Sequence, residues 1–333
     1  MKNIKKYLKP IALLAGTGFT LVNVAAWFHA GKFTAFSKEK ELNPVASDLT
    51  PLQQARALFT GVHNPRPVND ILPSKPYTTF YVDGPVKLEC WHMKVDKPLG
   101  TIIIFHGYGG CKSSMVERAE ALYDMGYDII LMDFSGSGGS EGNITTIGYK
   151  ESKQVKAIFE HQKSKDTGPI ILYGVSMGAV AIMKAIQDNQ IEPDAIIVEC
   201  PFGTMYKTTC ARFRNMNIPS FPFAGLLLFW GSIRSNFPAF SHKPCEYAKA
   251  IKCPVLHLFG EKDDKVSIEE TVEIFKNFAG PKRLKTYPQA GHESYLINYR
   301  QEWTNDVANF LADYVDQKQP GSREGESRGS MND

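Results

Sequence analysis

The sequence carries little excess charge. Its 333 residues include 38 Lys and Arg and 35 Asp and Glu, which give a formal net charge of +3 at pH 7. The basic residues are scattered along the chain, whereas nucleic-acid-binding proteins concentrate them on one surface. We therefore expect no nucleic-acid partner.

Cysteines are few and none are closely paired. None of the six shows the short paired spacing of a zinc site, so we expect neither a metal nor a cofactor. If the protein is exported, a disulfide between Cys210 and Cys245 is one possibility. Buried free thiols, which behave as small apolar residues, are the alternative.

Charged residues are absent from one long N-terminal stretch. No Asp, Glu, Lys or Arg occurs from Ile11 to Gly31, while residues 1–9 contain four lysines. As a helix this stretch would be about 31 Å long, close to the thickness of a bilayer's hydrocarbon core. Because lysines favour the cytoplasmic side, we predict a signal anchor over residues 10–31 with the following domain outside the cytoplasm. The alternatives are a cleaved signal peptide, which would leave a secreted or periplasmic protein, and a helix packed on the domain.

The rest of the chain divides by composition. We expect a linker and N-terminal extension over residues 32–76 and one domain over residues 77–314. Residues 315–333 are polar and rich in Gly and Ser, so they lack the apolar surface that would offset the entropy of ordering. They are predicted to form a disordered tail.

Apolar runs alternate with helical patterns from about Tyr77 onward. "TTFYVDG" and "VKLECWHMKV" predict an antiparallel hairpin, and "TIIIFHG", "YDIILMDF" and "PIILYGVS" predict strands separated by helices. This alternation predicts an α/β fold with a mostly parallel central sheet and helices on both faces.

One long connection interrupts the alternation. Residues 203–248 are irregular and dense in Pro and aromatic residues, and connections of that length are usually functional. We predict an inserted lid in which Phe223, Leu227 and Trp230 bind substrate. The alternative is a helix that extends the core or touches the membrane.

Two serines stand between glycines in a Gly-x-Ser-x-Gly pattern. "GGSEG" contains Ser140 and "GVSMG" contains Ser176, and both follow a predicted strand. Only Ser176 is followed at once by apolar residues at helical spacing, "AVAIMKAI". Strand, sharp turn and helix together are the setting of a nucleophilic serine, so Ser176 is the predicted nucleophile.

A base and an orienting acid are found at later strand ends. Asp263 and Asp264 follow the apolar run "CPVLHL", and His292 follows the last predicted strand, at the start of the final helix. The order serine, acid, histidine is that of a hydrolase triad, which we predict to be Ser176, Asp263 and His292.

A glycine-rich loop, "HGYGG", follows the strand "TIIIF". Such a loop lets a backbone N–H approach a substrate oxygen, so we predict an oxyanion hole formed by the backbone N–H groups of Tyr108 and Met177. His106 is interpreted as a structural histidine that bonds loop backbone.

These motifs together resemble the α/β-hydrolase superfamily from about Phe80 to Leu311. "HGYGG", "DFSGSGGSEG", "GVSMG", "GEKDDKV" and "GH" are similar, in order, to its oxyanion loop, the loop after the next strand, its nucleophile turn, its acid loop and its histidine loop. The family pattern Gly-x-x-Asp-x-x-Val falls on Gly260, Asp263 and Val266 and favours Asp263 over Asp264. "ECPFGTMY" and the later "IKCPVLHLFGEKDDKV" further resemble membrane-anchored or exported bacterial serine hydrolases of the serine aminopeptidase-like group.

The function expected from these residues and this resemblance is cleavage of carboxylic esters through an acyl-enzyme. The substrate would be a small-molecule ester, a lipid or a thioester. A serine aminopeptidase-like peptidase and a hydrolase fold retained for binding are the alternatives, because the fold alone does not fix a substrate.

Overall fold

The computed structural model describes residues 2–37, 50–61, 64–165, 168–189 and 191–315. Strands alternate with helices along the chain, as predicted. The strands are β1 Thr78–Asp83, β2 Lys87–Met93, β3 Thr101–Phe105, β4 Asp128–Met132, β5 Ile170–Val175, β6 Ala195–Glu199, β7 Val255–Gly260 and β8 Lys282–Tyr287. The helices are α1 Lys2–Thr34, α2 Pro51–Thr60, α3 Val116–Asp124, α4 Ser152–Lys163, α5 Met177–Asn189, α6 Met205–Asn215, α7 Phe223–Ser235, α8 Pro244–Tyr247, α9 Ile268–Asn277, α10 Tyr295–Asn298 and α11 Arg300–Tyr314.

The strands form one eight-stranded sheet in the order β1-β2-β4-β3-β5-β6-β7-β8. β1 pairs antiparallel with β2, and β2 antiparallel with β4, whereas the other pairs are parallel. The predicted hairpin and the predicted parallel sheet are therefore both confirmed. Since β3, β5, β6 and β7 run in the same direction, the loops at their carboxyl ends lie along one edge of the sheet.

Helices cover both faces of the sheet. In β3, Ile103 and Phe105 pack into one apolar core, while Ile102 and Ile104 pack into a second core on the opposite face. Such two-sided burial explains why the central strands are continuous apolar runs rather than alternating ones. The first core includes residues of α4 and α5, and the second includes residues of α3 and α11.

The apolar N-terminal helix is longer than predicted. α1 continues through Thr34, past the expected end of the anchor at residue 31. Its segment Lys9–Thr34 is long and apolar enough to cross a membrane and is mostly unburied by the protein. The predicted linker therefore begins as helix, and residues 38–49 of it lie outside the described residues.

The last turns of α1 pack on the domain. The predicted division of the chain treated this helix and the domain as separate parts. The rings of Trp27 and Trp230 meet edge to face at 5.3 Å, and Trp230 Nε1 donates a hydrogen bond to Asn23 Oδ1 at 3.1 Å. Ala30 and Phe36 are buried. The predicted anchor and the predicted lid thus contact each other directly through α1 and α7.

The long connection between β6 and β7 is mostly helical. Thr204 caps α6 by accepting a hydrogen bond from the Lys207 backbone N–H at 3.1 Å, and Asn236 caps the end of α7 in a left-handed conformation. Of the predicted tail, Val315 is buried, and residues 316–333 lie outside the described residues.

Candidate active site

Ser176 occupies a strained turn between β5 and α5. Its φ of +51° is in the left-handed region, which non-glycine residues rarely adopt. A Cβ at Gly174 would lie 2.5 Å from the Ala179 nitrogen, and one at Gly178 would lie 2.4 Å from the Phe105 carbonyl oxygen. Only glycine therefore fits at either position. The Ser176 backbone N–H donates to the Glu199 carbonyl at 2.8 Å, which ties the turn to β6.

The structure brings Ser176 together with His292 and Asp263. His292 Nε2 lies 3.2 Å from Ser176 Oγ, and His292 Nδ1 lies 2.7 Å from Asp263 Oδ2. The second carboxylate oxygen of Asp263 accepts the backbone N–H groups of Lys265 and Val266 at 2.8 and 2.9 Å. These bonds fix the carboxylate with one oxygen aimed at the imidazole.

Asp264 occupies a different environment. It is exposed, and its carboxylate accepts a hydrogen bond from the Asn215 amide at 2.9 Å. Of the two adjacent acids, the structure therefore places Asp263 against the histidine.

His292 lies in the loop between β8 and α10 rather than at the start of the final helix. The chain makes a turn after Tyr287, and α10 begins only at Tyr295. The imidazole is consequently held by its side-chain partners and not by helical backbone.

Cys200 also faces the imidazole, which the sequence did not indicate. Its Sγ lies 4.0 Å from His292 Nε2, and the residue is buried with a φ of +40°. Burial lowers the pKa of His292, but Cys200 and the hydrogen bond to Asp263 outweigh burial and raise it above 6.5. The histidine loses its proton only at a higher pH than a free imidazole does.

The glycine-rich loop lies directly against the serine. A Cβ added to Gly107 would meet the Ser176 Cβ at 3.7 Å. Within the described residues, the backbone N–H groups of Tyr108 and Met177 have no hydrogen-bond acceptor. These two groups are the predicted oxyanion-hole donors.

His106 and Ser140 are both buried within the fold. His106 Nε2 accepts the Phe134 backbone N–H at 3.0 Å, and its Nδ1 lies 2.8 Å from the Gly107 carbonyl. Ser140 donates to the Asp133 carbonyl at 2.7 Å and accepts the Glu89 backbone N–H at 2.8 Å. Both side chains bond to backbone, as expected for His106.

Ser176 and His292 line a cavity of about 330 Å³. Its walls are mostly apolar, and many of the lining residues come from the end of α1, the glycine-rich loop after β3, α6 and α7. Residues from these parts include Ala30, Phe33, Tyr108, Phe213, Leu227, Leu228 and Gly231.

Of the three residues predicted to bind substrate, only Leu227 lines this cavity. Trp230 faces α1. Phe223, at the beginning of α7, stacks its ring on that of Phe213 at 6.3 Å. The sequence could not distinguish these positions from Leu227, because α7 is apolar on nearly every side and its composition does not show which face is turned inward.

α1 is joined to the glycine-rich loop after β3 by the side chain of Tyr108. The Tyr108 hydroxyl donates to the Phe33 carbonyl at 2.9 Å and accepts from the Asn64 amide at 3.0 Å. The rings of Phe33 and Tyr108 stack at 6.5 Å. The end of the apolar N-terminal helix is therefore part of the site.

Three side chains of the site could in principle ligate a metal. Cys200, Asp263 and His292 each place one donor atom within 4.8 Å of the others. Because both imidazole nitrogens already have partners in Ser176 and Asp263, the serine–histidine–aspartate arrangement accounts for this cluster.

Comparisons with known proteins agree with this fold. The sequence model of the family described as serine aminopeptidase, S33, matches residues 96–234. An esterase of Pyrococcus furiosus, Pf2001, superposes with a TM-score of 0.61 at 24% identity, covering 75% of this chain and 99% of the esterase.

Relatives in sequence include bacterial and animal proteins. The uncharacterized protein YqkD of Bacillus subtilis is 26% identical over 66% of this chain and 74% of its own length. The lysophosphatidylserine lipase ABHD12 of Danio rerio is 25% identical over 68% of this chain and 60% of its own length.

The sheet order and the strand-end loops define an α/β-hydrolase fold. The chain therefore has the fold of the α/β hydrolases, and over residues 96–234 it resembles the serine aminopeptidase-like group. The predicted fold class and family resemblance are thereby confirmed, while the roles of the site residues and of the inserted segment stay predictions.

Proposed function

We propose that the protein is a serine hydrolase that cleaves carboxylic esters of amphiphilic molecules. The observation that carries the proposal is the continuous hydrogen-bonded chain from Ser176 Oγ through His292 to Asp263, with Ser176 and His292 in the wall of an apolar cavity. A serine hydroxyl is a weak nucleophile by itself, and a base oriented by an acid activates it.

In the proposed reaction, Ser176 Oγ attacks the ester carbonyl while His292 Nε2 accepts its proton. Asp263 holds the other imidazole nitrogen and stabilises the charged ring that forms. His292 then gives the proton to the departing alcohol, which leaves an acyl group on Ser176. A water molecule activated by His292 releases the acid and restores the serine.

The negative charge that develops on the carbonyl oxygen needs donors that are already in position. The backbone N–H groups of Tyr108 and Met177 are our candidates because Gly107 lies against Ser176 and α5 begins at Met177. The positive end of the α5 dipole adds to their effect.

The apolar walls favour a substrate with a hydrocarbon portion. Each buried methylene contributes about 0.8 kcal/mol of transfer free energy, so a few methylenes suffice to select such esters. α1 contributes to the same walls. If α1 is a membrane anchor, the site lies close to the bilayer that would supply an acyl-bearing substrate.

We further propose that α1 anchors the protein with its catalytic domain outside the cytoplasm. The lysines before the apolar segment support this orientation. Protease added to sealed cells checks this orientation. A domain that is digested only after the membrane is permeabilised would contradict it. Full-length protein in the soluble fraction would contradict the anchor itself.

The aminopeptidase alternative is disfavoured by the charge of the cavity. A peptide's ammonium group requires acidic partners, and none of the described Asp or Glu residues lines the cavity, whereas Arg212 and Lys265 do. Turnover of aminoacyl-arylamides against aryl esters separates the two activities, and faster cleavage of the amide would reverse this ranking.

A purely binding role is the second alternative. Relatives that have lost catalysis usually lack the nucleophile or the histidine, and both are present here. Covalent labelling of Ser176 by a fluorophosphonate probe distinguishes a hydrolase from a binding protein, and absence of labelling in folded protein would favour binding.

The decisive assay is hydrolysis of p-nitrophenyl esters from acetyl to palmitoyl by wild type and Ser176→Ala. The full chain in detergent is required, because a domain without α1 would lose Ala30 and Phe33 from the cavity wall. We expect serine-dependent hydrolysis that improves as the acyl chain lengthens until the cavity is filled. No serine-dependent hydrolysis at any length would contradict the proposed function.

A further inference from the structure

A single arginine of α6 lies in the wall of the candidate active site. Arg212 lines the cavity together with Ser176 and His292. The centre of its guanidinium group lies 4.8 Å from the Tyr108 ring centroid and 5.3 Å from the Phe33 ring centroid. Arg212 therefore contacts both the oxyanion loop and the end of α1.

Among the residues that the structure describes, no acidic side chain neutralises the charge of Arg212. No described carboxylate lies within 4.0 Å of the Arg212 guanidinium, although the residue is half-buried. Buried cations elsewhere in the fold do have such partners: Arg118 pairs with Glu199, and Lys112 pairs with Asp133. Arg212 also hydrogen-bonds to the Tyr108 side chain, but that partner is neutral, and a guanidinium has five N–H donors, so donors remain available for an anion.

An unneutralised cation in an apolar cavity is a binding feature for anions. Removing a charge from water is costly unless a counter-charge replaces the lost hydration. The planar guanidinium matches the oxygen pairs of phosphate and carboxylate groups, to which it can donate two parallel hydrogen bonds. Lys265, which is exposed and lines the same cavity, adds a second positive charge.

We propose that Arg212 is a specificity-determining residue that binds an anionic group, phosphate or carboxylate, carried by the ester substrate. This inference rests on the proposed ester hydrolysis. The substrate is then an amphiphile with three parts: a hydrocarbon portion against the apolar walls, an ester carbonyl at Ser176, and an anionic group at Arg212.

Two matched substrate pairs test the inference on the full chain in detergent. In the first, 1-acylglycerol 3-phosphate is compared with 1-acylglycerol of the same chain, so that the anion is on the alcohol side. In the second, the p-nitrophenyl monoester of a dicarboxylic acid is compared with that of a fatty acid of equal length, so that the anion is on the acyl side. The ratio of kcat/KM, anionic over neutral, is measured for each pair.

We expect wild type to prefer the anionic member of at least one pair. Arg212→Gln should lower that ratio roughly 10- to 100-fold, as expected for a lost hydrogen bond between charged groups. Arg212→Lys should retain part of it. Arg214→Gln is the matched control, because Arg214 is exposed on the same helix and does not line the cavity, and it should leave the ratio unchanged.

The other outcomes contradict the inference. An equal loss on both members of a pair in Arg212→Gln would assign the residue to packing of Tyr108 and Phe33. Serine-dependent hydrolysis without preference for either anionic ester would leave the proposed function standing and overturn the role of Arg212. No serine-dependent hydrolysis of any of the four esters would overturn both.

Discussion

The two Gly-x-Ser-x-Gly segments have the same sequence pattern and different structures. Ser140 is 1% exposed, and its hydroxyl bonds only to backbone groups of Asp133 and Glu89. Ser176 lies in a left-handed turn, lines the cavity, and has its hydroxyl 3.2 Å from His292. A serine between glycines is therefore not by itself a sign of a nucleophile.

The glycines of the two segments serve different neighbours. A Cβ at Gly138 or Gly139 would collide with the carboxylates of Asp133 and Glu89, which pair with the buried Lys112. A Cβ at Gly174 or Gly178 would instead collide with backbone atoms. The first segment thus makes room for an ion network, and the second for the close approach of a helix to a strand.

The largest expected difference between the two segments is in catalysis. Ser176→Ala should lower kcat on p-nitrophenyl esters by roughly 10⁶-fold, as loss of a triad nucleophile does. Ser140→Ala should retain activity in its folded fraction, because Ser140 does not line the cavity. Equal losses in the two variants, measured on folded protein, would contradict the assignment of the nucleophile.

The adjacent acids Asp263 and Asp264 allow the same kind of comparison for the carboxylate proposed to orient His292. Asp263→Asn should lower kcat by roughly 10⁴-fold, because the amide cannot hold His292 in the required protonation state. Asp264→Asn is the matched control, since Asp264 is exposed and bonds to Asn215. A large loss in Asp264→Asn with activity kept in Asp263→Asn would transfer the role to Asp264.

Gly178 of the second segment should tolerate substitution by alanine less well than an ordinary helical glycine does. Gly178→Ala should displace α5 from β3 and lower kcat/KM by about 10²-fold, the usual effect of misplacing a catalytic group by about 1 Å. Gly225→Ala is the control, because a Cβ there meets no atom within 4 Å. Thermal unfolding measured in parallel separates lost geometry from lost fold, and equal activities of the two variants would contradict the steric argument.

The sequence predicted the sheet and the meeting of the three site residues for the same reason. Buried parallel strands are continuous apolar runs, and the loops after them share one edge of the sheet, so Ser176, Asp263 and His292 could be placed together from chain order alone. The helix α9 was not predicted, although a capping box of Ser267 and Glu270 marks its beginning.

The cavity could not be predicted in the same way. Its walls depend on how α1 packs on α6 and α7, and the apolar pattern of α1 is equally explained by a membrane. Arg212 meets Phe33 and Tyr108 across large separations in the chain, so no local pattern links them. Contacts of this kind are set by tertiary packing, which the spacing of residues within one segment does not encode.

The pH dependence should report the environment of His292. Since the pKa of His292 is raised above 6.5 and the base must be neutral, kcat/KM should rise with pH through a pKa above 6.5 and fall tenfold per pH unit below it. Cys200→Ala should move this limb to lower pH, because Cys200 contributes to the raised pKa. A wild-type pH profile of kcat/KM with its pKa at or below 6.5 would show that the effect of burial on the pKa of His292 outweighs the effects of Cys200 and Asp263.

The smallest expected effect is on the stability of the first segment. Ser140→Ala removes the hydrogen-bond partner of the Glu89 backbone N–H and of the Asp133 carbonyl, so it should lower the free energy of unfolding by about 1–3 kcal/mol. Ser164→Ala, at an exposed serine that bonds only the nearby His161 carbonyl, should change it by less than about 0.5 kcal/mol. Denaturant unfolding of the full chain in detergent measures both, and equal stabilities would mean that Ser140 is as dispensable for the fold as for catalysis.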